Sequence, residues 1–504
     1  MQGVYFCADH PENVLKMAIP AAIPDSAASA IAAQGDADGT AVVIPQIGPL
    51  DFELGMPTPG AVEKLYEALD FQRAVQGYLW AIPTVGMESA RQMLVDNAGA
   101  RSGDLVLVAG YRDVSVMLGS NVTTPYVFAW LDLSRGPLVI DYPAGATAGS
   151  LIDWWDRPLS DVGASGPDGG KGAILVVTGP QHAAPTDILA GARLLRSRTN
   201  KVLMFCRGLD GDPDKVEAVF TKARIHALGA TASREPASLL KFKSEGELTS
   251  MAHPKGLAYW HSLARALDGE PVEDRDRFFA ASLEPLGITY DGSFSPNDRQ
   301  AGLLERAAFL GEAMAKANAF SKRIPGMRYR EDTHWERLIP QDFDNEQDVP
   351  GGSLLDERTA FYYEVTGTSA AVLSKTPGMG SAYLTAYRDR RGRPFDGGET
   401  YRLRVPANVP AKLFWSITLY DTQTRGLIQN AQQIVDRSSR QALKAGADGS
   451  VEIVMGPRAP QGFEQNWIPT TPGRAWYAYF RLFGPLEPYF ERSWRLPDIE
   501  GQSP

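Results

Sequence analysis

The last third of the chain alternates with a period of two. Tyr401, Leu403 and Val405 are separated by Arg402 and Arg404, and Leu413, Trp415, Ile417 and Leu419 by Phe414, Ser416, Thr418 and Tyr420. That is the period of an extended strand, whose successive side chains point to opposite faces. The stretch from about Tyr383 to Pro497 is therefore expected to form an antiparallel β-sandwich. Trp415 should lie in its core, with Ser416, Thr418 and Tyr420 on the other face. Asp448-Gly449 supplies a hairpin turn ahead of Val451 to Met455, and Trp476 to Phe483 makes a final aromatic strand.

A similar rhythm runs from Asp104 to Val177, where Leu105 to Val108, Tyr126 to Leu131, Pro137 to Tyr142 and Ile174 to Val177 are parted by Gly, Pro, Asn and Asp. Lys201 to Cys206 adds a strand. Asp212-Pro213-Asp214 opens a helix carrying Val216, Val219, Phe220 and Ala223 on one face. Helical spacing also runs from Pro59 to Trp80, with Ala81-Ile82-Pro83 as its expected end. Ser295-Pro296-Asn297-Asp298 should cap a helix whose stripe is Leu303, Ala307, Leu310, Met314 and Ala317. A further helix is expected from Leu355 to Thr366. Residues 18–39, rich in Ala, Asp, Ser and Gly without a period, read as a lead-in.

With 504 residues the chain exceeds one ordinary core and suits two or three domains. A net charge of −10 with interleaved signs gives no basic stripe to displace counterions from a phosphate backbone, which argues against nucleic acid as a partner. The longest apolar runs are strand-sized, far below the roughly 20 residues that cross a bilayer, so no transmembrane segment is expected. Without a secretory signal over Met1 to Pro20, the sequence as it stands reads as cytoplasmic. Cys7 and Cys206 show neither a CxxC nor a Cys/His ligand spacing, and a bond between them is disfavoured.

Motifs that would carry chemistry are sparse. Gly163 to Gly172 is glycine-rich and contains Lys171, but Ser165 and Gly172 stand where a phosphate loop needs Gly and Ser or Thr, so it reads as a turn between strands. The six histidines make no HxH or HExxH spacing, and no GxSxG occurs. His226 and His253 read as surface or hydrogen-bonded groups. No metal or cofactor is expected. Carboxylates near strand ends, Asp132, Asp141, Asp389 and Asp421, suit turns as well as acid–base work.

Phe414-Trp415-Ser416-Ile417-Thr418-Leu419-Tyr420-Asp421, followed by Asn430, Asp448-Gly449-Ser450, Asn466-Trp467-Ile468-Pro469, Arg481-Leu482-Phe483 and Trp494 to Pro497, resembles the bacterial domain of unknown function family 1214. Upstream, Ala74 to Pro83, Asn121 to Tyr126, Leu131-Asp132-Leu133, Gly166 to Gly172 and Arg207-Gly208 resemble family 1254. The resemblance implies an α+β, multidomain protein of two antiparallel β-sandwich domains joined by a helical segment. The corresponding division is a lead-in over 1–54, a β-rich domain over 55–230, a helical connection over 231–375 and a sandwich over 376–504. The family usually has an export signal, which would place the protein in the periplasm or outside the cell. It also often carries Asp where Thr123 or Thr124 stands.

Indole and amide groups on such strands suit stacking on a small molecule or a glycan. The expected pocket lies between the two sandwiches and is lined by Trp80, Asn121, Tyr126, Trp415, Ser416, Tyr420, Asn466 and Trp467. A hydrolytic version would use Asp132 or Asp421 as base and Arg481 to stabilise charge. The alternative is a non-catalytic binding or assembly protein whose partner is another protein or a second copy of the chain.

Overall fold

The computed structural model describes residues 42–44, 47–186, 188, 190–230, 235–243, 245–340, 343–349, 352–373 and 375–502. Cys7, His10 and the lead-in over 18–39 lie outside them. Contacts divide the chain into one unit up to Leu69 and another from Asp70. The described part of the first holds two short hairpins, Val42–Ile44 with Gly48–Leu50 and Phe52–Glu53 with Met56–Pro57. The helix Pro59–Ala98 starts in the first unit and continues into the second, which carries the remaining elements.

It mixes helices with several open sheets. One sheet orders six strands as Leu239–Lys241, Leu105–Val108, Tyr126–Asp132, Lys201–Gly208, Thr147–Asp153 and Pro158–Gly163. Another orders four as Arg193–Arg196, Ala173–Thr178, Leu138–Tyr142 and Arg224–Ala227. Pairing is antiparallel except at the edges, where Leu239–Lys241 and Arg193–Arg196 run parallel to their neighbours. Leu239–Lys241 thus joins the first sheet from beyond residue 230.

The six-stranded sheet explains why its strands read as nearly unbroken apolar runs: both of its faces are buried. Leu105, Leu107, Val127, Ala129, Val202 and Met204 face one cluster, which they share with Ile140, Leu175 and Val177 of the four-stranded sheet. Their alternates Val106, Val108, Tyr126, Phe128, Leu203 and Phe205 face a second, larger cluster. That cluster continues through the helices into the C-terminal strands, including Leu384, Ile417, Leu419 and Ile453.

The C-terminal region pairs Glu336–Arg337, Ser381–Ala386, Ala475–Pro485, Ala411–Asp421 and Asp436–Ser438 in that order, with Phe395–Asp396 also on Ala475–Pro485. A four-stranded sheet orders Trp467–Pro469, Val451–Gly456, Tyr401–Val405 and Glu500–Gly501. Trp415 lies in the core as its phase requires, stacked on Phe480 with ring centroids 5.4 Å apart. Ser416, Thr418 and Tyr420 occupy the opposite face and are also buried.

Three helical expectations need correction. Pro83 does not end a helix; it sits inside one that runs Pro59–Ala98. A proline removes the N–H that would bond the carbonyl four residues back. Here that carbonyl, Leu79 O, accepts from Thr359 Oγ1 at 3.3 Å, while Tyr259 Oη donates to Tyr78 O and the His253 ring bonds Ile82 O. Tertiary partners thus replace what Pro83 withholds. The helix Asp298–Phe320 does start at a capping box on Asn297 and Gln300, but its buried stripe is Leu303, Leu304, Ala307, Ala308, Gly311, Ala315 and Ala319. Met314 is 42% exposed, because the small residues let the helix approach its neighbours, with Gly311 lying against the Tyr78 ring. Finally, the helix from Leu355 stops at Tyr362. Beyond it the backbone N–H groups of Gly367 and Thr368 donate to Asp156, which holds the chain out of helical geometry as far as a short helical turn, Ala370–Leu373, whose first N–H groups donate to Asp161.

Candidate functional site

Three residues on neighbouring strands set the site. Arg207 follows Leu203 and Phe205 at the same strand phase, so it faces the C-terminal region. It pairs in register with Tyr126 on one side and Ala148 on the other. Its guanidinium lies 5.4 Å from the centroid of the Tyr126 ring. Opposite, Tyr383 and Ser416 flank Arg481 across the C-terminal sheet. Between these two rows lies a cavity of about 500 Å3.

Its wall is largely apolar. Phe128 and Phe205 come from the N-terminal sheet, Met117 and Leu118 from the loop after Val114, Phe361 and Val365 from the helix Leu355–Tyr362 and its continuation, and Phe414 and Phe483 from the C-terminal sheet. The last two rings stack at 3.9 Å. Leu413, Met379 and Leu209 also line it and are 68%, 46% and 39% exposed, which marks an apolar mouth. Arg440 stands there with its guanidinium 3.8 Å from the Phe414 centroid. The segment Val365 to Val372 that closes one side is held by the buried carboxylates Asp156 and Asp161. Burial pushes the Asp156 carboxyl up to about 7, against the pull of the Gly367 and Thr368 N–H groups.

The electrostatics of this wall are lopsided. Arg481 is fully buried and donates to Thr418 Oγ1 at 2.9 Å, Gly119 O at 2.8 Å, Ser120 O at 3.1 Å and Tyr420 Oη. Burial works against its charge, but the Tyr420 and Tyr383 hydroxyls hold it. Arg207 is treated alike, burial being outweighed by Tyr126 and Tyr383, while Arg481 itself repels it. Among the described residues neither guanidinium has a carboxylate within ion-pair distance. The acid that Arg481 does feel is Asp436, whose carboxyl burial pushes up to about 6.

The residues singled out in the sequence distribute unevenly around this cavity. Tyr126 lines it, and Asn121 holds that ring in place by donating to Tyr126 Oη from its backbone N–H at 3.1 Å and from Nδ2 at 3.0 Å. Arg481 and Tyr420 lie just behind the wall, where the Tyr420 hydroxyl donates to Ser120 O. Ser416 is buried with its hydroxyl unpartnered. The others lie elsewhere. Trp80 donates to Asp276 Oδ1 at 2.8 Å and packs on Trp155 and Phe279. Asn466 ties down the backbone of Lys444 and Glu452, and Trp467 donates to Gly456 O. Asp132 accepts from Ser134 N, and Asp421 from the backbones of Gln423 and Thr424. Arg207 carries a signal that sequence reading passed over: a cation at the inward phase of an apolar strand.

Two further polar clusters are notable. His253 is buried and bonds Ile82 O through Nε2 while accepting from Arg425 through Nδ1, so it meets a cation, not an acid. Burial and Arg425 together press its pKa down to about 3. Glu364, also fully buried, accepts from Tyr387 Oη and Tyr479 Oη at 2.7 Å each, with Lys322 Nζ at 3.7 Å. Lys322 and Tyr387 line a second, polar cavity of about 340 Å3, whereas Tyr479 lines the first. Among the described residues no three or more His, Cys, Asp or Glu side chains gather as a metal site, and no helix is long and apolar enough to cross a membrane.

Comparison with known proteins gives fold and family without an activity. No curated protein matches. The crystal structure of the VPA0106 protein from Vibrio parahaemolyticus is 15% identical, aligns with 86% of this chain and 100% of its own, and gives a TM-score of 0.50. A putative uncharacterised protein from Burkholderia cenocepacia is 12% identical over 88% of this chain and 96% of its own, with a TM-score of 0.37. Two family models match, both described as proteins of unknown function. Residues 107–227, which supply Tyr126 and Arg207, carry the DUF1254 family, and residues 380–487, which supply Tyr383 and Arg481, carry the DUF1214 family, in that order along one chain.

Proposed function

We propose that the chain is built of two β-sandwich units joined by helical material, and that it binds a small, largely apolar molecule in the cavity between them. The observation that carries this reading is the cavity of about 500 Å3 with its phenylalanine-rich wall and apolar mouth. A hollow of that size is in the range of drug-sized ligand sites. Hydroxyl side chains such as Thr124, Ser381 and Tyr383 are interspersed in the wall, but most of its lining is apolar, which suits a hydrocarbon better than a glycan. Asp132 and Asp421 stand outside it in turns, which favours binding over hydrolysis. Filling the hollow is the direct test. The uncharged fluorophore N-phenyl-1-naphthylamine should bind the wild-type protein at one site. Ala148→Trp, which projects an indole into the space beside Arg207, should abolish that binding while the circular-dichroism spectrum is unchanged. Equal binding by both proteins, or none by the wild type, would overturn the reading.

A second reading, assembly through exposed apolar surface, is favoured by Phe278 and Phe309, which are 72% and 78% exposed. It expects a concentration-dependent sedimentation coefficient that Phe278→Ser with Phe309→Ser removes. A single species at all concentrations would sink it.

A further inference from the structure

We infer that the molecule taken into the apolar cavity is a monoanionic amphiphile, with a carboxylate or similar oxyanion head against Arg207 and its hydrocarbon part along the phenylalanine wall. This deepens the reading of the cavity as a ligand site and rests on it.

The argument starts from charge balance. A guanidinium drawn out of water, as Arg481 is fully and Arg207 in part, is costly unless an anion compensates it, and native interiors pair such groups or bring them a ligand. Two cations, Arg207 and Arg481, lie within electrostatic reach of each other at this wall. Both are attended by tyrosine hydroxyls and neither by a carboxylate. Away from the cavity Arg157 has that compensation, donating to Asp153 at 2.6 Å and to Glu273 at 2.5 Å, whereas the buried Arg358 and Arg425 have no carboxylate within ion-pair distance among the described residues. What sets Arg207 apart is that it stands on the wall of an open hollow.

Position then separates the two cations. Arg481 spends its donors on Thr418, Gly119, Ser120 and Tyr420 behind the wall, so it supplies field and no contact. Arg207 is on the wall itself, in register between Tyr126 and Ala148, and the small Ala148 side chain leaves room beside its guanidinium. Tyr383 engages part of that planar fork, and a donor fork on the lining of a hollow suits a carboxylate, which can accept two bonds at once. Arg440, the other cation on the lining, lies over Phe414 at the exposed mouth, and the wall between is largely apolar, so Arg207 is where an anionic head would be matched.

Calorimetric titration of the full chain with decanoate and decanol, which share a tail and differ in the head, tests this. At neutral pH decanoate should bind at least about tenfold more tightly than decanol, the usual size of a charge-assisted hydrogen bond. Arg207→Gln should bring the two within about twofold by weakening decanoate alone, and unchanged decanol binding would report an intact cavity. Arg207→Lys should keep part of the preference. A mutation-free arm lowers the pH below the decanoate pKa, where the wild-type preference should vanish. Equal binding of the two at neutral pH, or a preference that survives both Arg207→Gln and acidification, would overturn the proposal while leaving the apolar site standing. Binding of neither would overturn both.

Discussion

Two buried polar clusters share the strand Ala475–Pro485, and they are finished differently. Around Tyr479, Glu364 has both oxygens taken by tyrosine hydroxyls and Lys322 close by, and Lys322 in turn donates to Tyr387 at 2.7 Å. Every member has a partner of the complementary kind. Two residues on, Arg481 has partners for its donors behind the wall and feels only one acid, Asp436, a carboxyl that burial pushes toward its neutral form. Arg207 on the wall has no acid within ion-pair distance among the described residues. A cluster that closes on itself serves the fold. One that leaves a single sign unmatched at the edge of a hollow is prepared for something from outside.

The comparison breaks or sharpens under four substitutions. Glu364→Ala strands Lys322 and two tyrosine hydroxyls, and should lower unfolding stability by about 3–5 kcal/mol in a denaturant titration. A loss under about 1 kcal/mol would mean that this cluster is no structural keystone. Asp436 comes next. Its carboxyl sits near 6 in the fold, well above the roughly 3.9 of an unfolded chain, so the native state holds the extra proton between those values. Stability should therefore fall as pH rises from about 4 to about 6, by up to about 1.4 kcal/mol per unit of pKa difference. Asp436→Asn should reduce that slope to the part that Asp156, pushed up to about 7, contributes in the same direction, and an unchanged slope would assign all of it to other groups. Without ligand, Arg207→Gln should alter stability by no more than about 1 kcal/mol, since it removes a charge that is uncompensated as well as its ring contact. A loss comparable to that of Glu364→Ala would erase the distinction between the clusters. Arg440→Ala at the exposed mouth should cost only about 0.5 kcal/mol, through its contact with Phe414.

How much of this was legible beforehand follows from how far each residue's partners lie along the chain. Strands announced themselves because their residue pattern is local: the alternating Tyr401–Val405 and the short apolar run Leu105–Val108 stand where that pattern puts them. So did the cap in Ser295 to Asp298, where Asn297 is the capping residue and Gln300 completes the box. Tyr126 and Arg481 were picked from the family-like segments, and both stand at or just behind the cavity. What stayed hidden depends on distant partners. Nothing near Pro83 tells of Thr359, nothing near Gly367 tells of Asp156, and the Glu364 cluster joins four segments spread from Lys322 to Tyr479. The stripe on Asp298–Phe320 was misjudged because hydrophobicity was weighed without size: Gly311, Ala315 and Ala319 are buried because they are small, while the larger Met314 is left outside.

The proline inside the helix Pro59–Ala98 bears on how the chain comes off the ribosome. Leu79 O acquires its cover from a residue 280 positions later. At elongation rates of about 5–20 residues per second, that stretch waits on the order of 15 to 60 seconds before Thr359 exists at all. Through that interval Leu79 O has only water to satisfy it, so the nascent N-terminal half is a natural client for a holding chaperone until the C-terminal half has been translated.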